Sequence, residues 1–180
     1  AMISQIPLAS YLLYKTKRLS LKKRFHVYND TLYIDASALL KQLGYVLKNT
    51  KTGLGLQYNG FSYTIPFKSR VWNARAEQET WAFVAEASPY SKDGVLWLPF
   101  NALLTFLDYS IHFNSITRDI ELLDNIHDVV LSKQKGAYMV RVVSRHKLTA
   151  YSLFHEKTTP VQSLRIPFSV SFMPKDVEVP

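Results

Sequence analysis

The chain has 180 residues, 47% hydrophobic and 20% charged, with a formal charge of +8. Eleven tyrosines, ten phenylalanines and three tryptophans exclude a disordered chain, and the length fits one large domain or two small ones. The absence of cysteine excludes thiolate zinc sites, iron–sulfur clusters, disulfides and a cysteine nucleophile.

The charge is concentrated. Residues 15–24 read KTKRLSLKKR and hold Lys15, Lys17, Arg18, Lys22, Lys23 and Arg24 without an acid. The rest of the chain is close to neutral. Leu19, Leu21, Phe25 and Val27 alternate with Arg18, Lys22, Arg24 and His26, and Lys23 breaks the pattern. That period of two predicts one or two amphipathic strands with a cationic face.

An internal repeat follows. Leu32–Leu40 aligns without a gap on Leu96–Leu104, an offset of 64. Leu32, Ala38, Leu39, Leu40, Leu43 and Tyr45 recur as Leu96, Ala102, Leu103, Leu104, Leu107 and Tyr109. Each copy reads as strand, helix, strand, strand. The first strands are Leu32–Ile34 and Val95–Leu98. Asp35 is expected to cap the first helix, and Pro99 suits the first turn of the second. The leucines make one helical stripe, which Gly44 and Asp108 should stop. Strands then resume at Tyr45–Lys48 and Ser110–Phe113, turn at Asn49–Thr52 and Asn114–Arg118, and continue at Leu54–Tyr58 and Asp119–Leu123. Asn59-Gly60 between alternating apolar runs predicts a hairpin, and Asp93-Gly94 a second tight turn. Beyond Asp124, Ile126–Ser132, Tyr138–Ser144 and Thr149–Phe154 read as strands, with a turn at Lys133–Gly136. The segment from Pro160 to Pro180 reads as extended. The fold class is therefore α+β and β-rich. Residues 1–124 form a duplicated domain with a basic N-terminal strand, and residues 125–180 a small β-rich segment.

The ordered set of motifs resembles the bacterial stalk domain, also called the copper amine oxidase N-terminal-like domain. Leu98-Pro99-Phe100 matches its Val-Pro-Leu element, Leu43-Gly44 its Leu-Gly stop and Thr50-Lys51 its Thr-Lys turn. Tyr58-Asn59-Gly60 is similar to its Val-Asn-Gly hairpin, and Asp93-Gly94 to the turn before its second copy. The resemblance covers residues 25–123 and departs from the pattern at Asp35 and Asp108, where proline and glycine are expected. Residues Ile126–Phe154 are weakly similar to the start of an AMIN domain. These resemblances imply an extracytoplasmic, non-catalytic envelope module. Such a module would position an attached or partner enzyme, such as a peptidoglycan amidase, by binding wall polymer or an envelope protein. They imply no copper.

No local pattern carries catalysis. His26, His112, His127, His146 and His155 show no metal-ligand spacing, and no cofactor or metal is expected. Ser20-Leu21-Lys22-Lys23 satisfies S-x-x-K but lacks the partner motifs, and there is no G-x-S-x-G. Glu77 with Glu79, and Asp119 with Glu121, share a face if they lie in strands. The second pair is read as a solvated strand face. The candidate anion or wall-polymer contacts are Lys17, Arg18, Lys22, Lys23 and Arg24. Trp72 and Trp81 are candidates for exposed aromatic contact, and Trp97 is read as core. Nucleic-acid binding through the basic strip is the alternative reading, with no recognition motif in support. A hydrolase with a site assembled from distant residues is a further one. No run of residues is long and apolar enough to span a bilayer.

Overall fold

The computed structural model describes residues 9–148, 152–155 and 162–171. The chain runs through β1 (Tyr11–Tyr14), β2 (Lys17–Ser20), β3 (Phe25–Tyr28), β4 (Thr31–Asp35), α1 (Ser37–Gln42), β5 (Val46–Asn49), β6 (Gly53–Tyr58), β7 (Phe61–Pro66), β8 (Val71–Arg75), β9 (Thr80–Val84) and β10 (Tyr90–Lys92). It continues through β11 (Val95–Pro99), α2 (Phe100–Phe106), β12 (Tyr109–Asn114), β13 (Asp119–Ile126), β14 (Asp128–Gln134), β15 (Ala137–Val143), β16 (Ser152–His155), β17 (Gln162–Arg165) and β18 (Ser169–Ser171). The fold is β-rich α+β, with two short helices among the described residues. It divides into two compact units, one ending at Leu122 and one beginning at Leu123.

The first unit has three sheets. A central four-stranded sheet runs β10-β11-β4-β3, a second sheet runs β5-β6-β7-β8-β9, and a third runs β12-β13-β1-β2. The repeat is visible as β4-α1-β5-β6 and β11-α2-β12-β13. Its offset of 64 carries Thr31–Asp35 directly onto Val95–Pro99. The two first strands pair antiparallel, with Ile34 opposite Leu98 and Asp35 opposite Trp97. Ile34 and Leu98 are the same position of the repeat, so a pseudo-two-fold axis passes between them.

The repeat also reaches further back than the leucine pattern. His26 pairs with Tyr33 across β3 and β4, and Tyr90 pairs with Trp97 across β10 and β11. The offset between these pairs is again 64. The hairpin turns Asn29-Asp30 and Asp93-Gly94 both hold positive φ at both residues, as a twist-matched two-residue turn requires.

Helix ends follow the sequence in part. Gly44 and Asp108 adopt left-handed φ of 93° and 68°, and each terminates its helix. The Gly44 amide donates to the Lys41 carbonyl at 3.1 Å and the Tyr45 amide to the Leu40 carbonyl at 3.0 Å, the two bonds of a Schellman stop. Asp35 does not cap α1. The N-cap is Ala36, without a side-chain bond, because Asp35 remains in β4 and its carboxylate turns towards Arg24. Pro99 is the N-cap of α2 rather than a residue of its first turn.

The core lies between the helices and the inner sheet faces. Leu39, Leu40, Leu103 and Leu104 of the helical stripe meet Ile34, Leu98, Leu54, Leu56 and Ile65, all buried. Full burial of each such side chain contributes about 1.5–3 kcal/mol. Phe106 of α2 extends this core under β7, β8 and β9, with ring centroids 5.3 Å from Tyr63, 5.4 Å from Trp72 and 5.5 Å from Phe83. The Asn59-Gly60 hairpin forms as expected, with φ of 50° and 81°.

Strand β1 pairs in parallel with β13, Leu12 opposite Ile120. This non-local closure has no local sequence signal. The basic segment does not form one strip. Lys17 and Arg18 lie on β2 in the third sheet, Leu21–Arg24 turn, and β3 belongs to the central sheet.

In the second unit, β14 and β15 form a two-stranded hairpin through Lys135-Gly136, and β16 pairs with β17. The last residues of β13, Asp124–Ile126, pair in parallel with β18. The expected strand start at Thr149, and most of the segment from Pro160 to Pro180, lie outside the described residues. Among the described residues, no helix is long and apolar enough to cross a membrane.

Candidate functional site

The central sheet has two unlike faces. Strand alternation sends Leu32, Ile34, Leu96 and Leu98 to the core and Tyr33, His26, Tyr28, Tyr90 and Trp97 to the opposite face. None of these five rings belongs to the hydrophobic core cluster. They contact one another instead. His26 lies 4.3 Å from Trp97, 5.8 Å from Tyr33 and 5.6 Å from Tyr90 between ring centroids. Tyr90 lies 4.8 Å from Tyr33 and 5.5 Å from Tyr28.

The edge strands β3 and β10 stand three places apart in the sheet, yet their rings meet. The sheet must therefore curl, and the rings of its edges close over Tyr33. That is why Tyr33 is buried while Tyr28 stays 55% exposed. The Tyr33 hydroxyl donates to the Ser88 carbonyl at 3.2 Å. Burial, then the neighbouring Tyr28 and Glu86, raise the Tyr33 pKa. Burial, then the Lys92 ammonium, hold the His26 pKa below its ordinary value. The rim of this cluster is Tyr28, with His26, Tyr90 and Trp97 half-buried behind it. Edge-to-face rings with an open rim offer apolar faces for stacking and a hydroxyl and an imidazole for hydrogen bonds.

The basic residues are placed differently from the sequence expectation. Arg18 lies 3.4 Å from the Asp119 carboxylate, and its guanidinium sits 3.8 Å over the Tyr11 ring. Lys17 donates to the Gln42 carbonyl at 3.2 Å. Arg24 donates to the Ser20 carbonyl at 3.0 Å and lies 3.8 Å from Asp35. These three cations are engaged within the fold. Lys22 and Lys23 stand exposed at the turn between β2 and β3.

The tryptophans also need correction. Trp72 is fully buried in β8 and donates to the Ser69 carbonyl at 3.2 Å, so it presents no surface. Trp81 is half-buried and packs against the core, 6.2 Å from Phe61. A shallow concavity of about 600 Å3 lies on β7, β8 and β9, and Ser62, Thr64, Asn73, Arg75 and Thr80 line it. Trp81 also borders the concavity, but it is opposite the buried Ala74 in the register, so alternation points its indole towards the core face of that sheet. Trp97, read as core, belongs to the outer aromatic cluster.

The acidic pairs do not form an acid–base site. Asp119 is buried against Arg18 rather than solvated, and Glu121 faces His112 at 3.4 Å. Glu77 and Glu79 lie in the turn between β8 and β9, where the shared strand face is lost. Among the described residues, no group of three His, Asp or Glu side chains is placed to hold a metal ion.

Sequence reasoning missed His26, Tyr28, Tyr33 and Tyr90 as a site. A signal existed. Extending the 64-residue register back from Leu32 places His26 on Tyr90 and the Asn29-Asp30 turn on Asp93-Gly94.

Comparison of the chain with family models, with curated proteins and with solved structures gives no match.

Proposed function

We propose that the chain is a non-catalytic, extracytoplasmic envelope module that positions an attached or partner enzyme by binding wall polymer through the outer face of its central sheet. The observation that carries this reading is the five-ring cluster held outside the core, with the Tyr28 ring open at its rim. An aromatic rim of this kind stacks on the apolar face of a sugar ring, and the flanking Lys92 ammonium suits the carboxylates of a wall polymer. The stalk-domain resemblance of residues 25–123 supports the same class.

Sedimentation with purified peptidoglycan tests it. The intact chain is retained at physiological salt, and Tyr28→Ala weakens retention about tenfold with an unchanged circular dichroism spectrum. Lys22→Glu and Lys23→Glu, at the exposed turn, serve as charge controls. No retention of the intact chain, or equal retention of folded Tyr28→Ala, overturns the proposal.

One observation favours a second reading. Aromatic rings on a four-stranded sheet with a nearby lysine also fit a single-stranded nucleic acid, whose bases stack on such faces. Affinity for an oligonucleotide would then fall linearly with salt on a log–log plot, and a flat response removes this reading.

A further inference from the structure

The β14–β15 hairpin carries a second surface, in the other unit. Its register places Val129 opposite Val142, Leu131 opposite Val140 and Lys133 opposite Tyr138. One face of the ribbon is therefore Val129, Leu131, Val140 and Val142, ending in a Lys–Tyr pair at the tip; Val129, Leu131 and Val142 are half-buried and the residues towards the tip are exposed. Lys133 sits over the Tyr138 ring at 5.5 Å. Near the tip, Tyr138 and Val140 are 53% and 45% exposed on this face and Met139 is 50% exposed on the other, and among the described residues no hairpin side chain belongs to the core cluster. A two-stranded ribbon with exposed apolar residues is marginal in water and gains from a surface that covers it.

Charge identifies that surface. Residues 128–147 carry Lys133, Lys135, Arg141, Arg145 and Lys147 against the single carboxylate of Asp128. Two copies of this hairpin repel each other, so a second copy is a poor occupant. A nucleic acid satisfies the cations but leaves Val140 and Met139 uncovered, because a phosphate backbone buries aliphatic side chains poorly. An anionic bilayer satisfies both. Tyr138 beside Lys133 at the tip, with Met139 next to them, suits the headgroup boundary, and Lys135 in the turn and Arg141 meet the lipid headgroups.

We infer that the β14–β15 hairpin is a docking surface for an anionic lipid bilayer, with its tip inserted at the headgroup boundary. The full chain is sedimented with vesicles of 30% phosphatidylglycerol in phosphatidylcholine and with vesicles of phosphatidylcholine alone. The chain sediments with the anionic vesicles, binding weakens as salt rises, and neutral vesicles leave it in solution. Lys133→Glu together with Lys135→Glu lowers partitioning more than twentyfold, about fivefold for each cation removed. Tyr138→Trp provides an independent reading, since its fluorescence shifts to the blue on anionic vesicles. Circular dichroism confirms that each variant is folded. Absence of binding to anionic vesicles overturns the proposal. So does equal binding of the folded double variant, or a Tyr138→Trp emission that does not move. Peptidoglycan sedimentation of these variants remains unchanged, so failure here leaves the aromatic-face reading standing.

Discussion

The hydroxyls of Tyr45 and Tyr109 lie 3.2 Å apart and are buried. The two residues are 64 positions apart, the offset of the repeat, and each directly follows the left-handed residue that ends its helix. Ile34 and Leu98, also equivalent, meet in the central sheet. Two equivalent pairs that meet fix the pseudo-two-fold axis of the duplicated region. The leucine stripe, the helix stop and the tyrosine that follows it act as one unit, which brings each copy against the other.

Removing one hydroxyl of the pair is expected to cost about 1 kcal/mol. Tyr45→Phe and Tyr109→Phe should each lower the urea midpoint, and the double variant should cost less than the sum of the two. Burial also raises both phenol pKa values well above 10.0. A raised folded value means that stability is complete below pH 10 and falls as pH rises through the ordinary phenol range, because the unfolded chain ionises first. Strict additivity in the double variant would show that the two hydroxyls are not coupled.

Much of this architecture is readable in the sequence because its signals are local. Asn59-Gly60 specifies its own turn, and Leu39-Leu40 with Leu103-Leu104 mark one helical face. The basic segment misleads because alternation continues in name across two strands that enter different sheets. Lys23, the residue that breaks the alternation, turns the chain with a φ of 60°, a conformation its residue type does not announce. The pairing of β1 with β13 joins Leu12 to Ile120, a contact that only the completed fold rewards. The aromatic face was hidden for a related reason. Its rings come from four strands, and only curling of the sheet brings His26 onto Trp97.

Gly44 tests the helix stop. Its φ is 93°, and a methyl group there would meet the Tyr58 ring at 3.6 Å, an ordinary contact. The cost of Gly44→Ala is therefore one of backbone conformation, roughly 1–2 kcal/mol. Gly44→Asn should cost less, since asparagine tolerates the left-handed region, as Asp108 does at the equivalent position. Equal losses for alanine and asparagine in thermal unfolding would place the cost elsewhere.

Arg18 and the turn lysines should separate. Asp119 is buried, so Arg18→Ala leaves its carboxylate without the guanidinium and the Tyr11 ring without its cation. Because Arg18 is largely exposed, the expected loss is modest, about 1 kcal/mol. Lys22→Ala and Lys23→Ala should stay within about 0.5 kcal/mol of the parent chain. Denaturant unfolding distinguishes the two classes, and a loss at Lys22 equal to that at Arg18 would mean that the turn lysines also hold the fold.

Trp72 should matter for stability and not for binding. It is enclosed by Phe83 and Phe106, so Trp72→Phe leaves a void and the lost Ser69 bond, about 1–3 kcal/mol together. Retention on peptidoglycan by the folded variant should equal that of the parent. A selective loss of retention at unchanged stability would contradict its burial.

His26 makes the aromatic face sensitive to acid. Burial among the rings, with Lys92 second, sets its folded pKa below the ordinary 6.5. The folded state then binds fewer protons than the unfolded chain between those two values. Stability is complete above pH 6.5, falls as the pH drops below it, and levels off once the folded imidazole also protonates. His26→Tyr keeps a ring, places at this position the residue found at its equivalent Tyr90, and removes the titration. The difference between parent and variant in urea unfolding, taken from pH 7.5 down to pH 5, isolates this group from the other histidines. The parent should lose stability relative to the variant below pH 6.5, and the His26 imidazole resonances should titrate with a midpoint under that value. Parallel curves for parent and variant would mean that the imidazole sits as freely in the fold as in the unfolded chain.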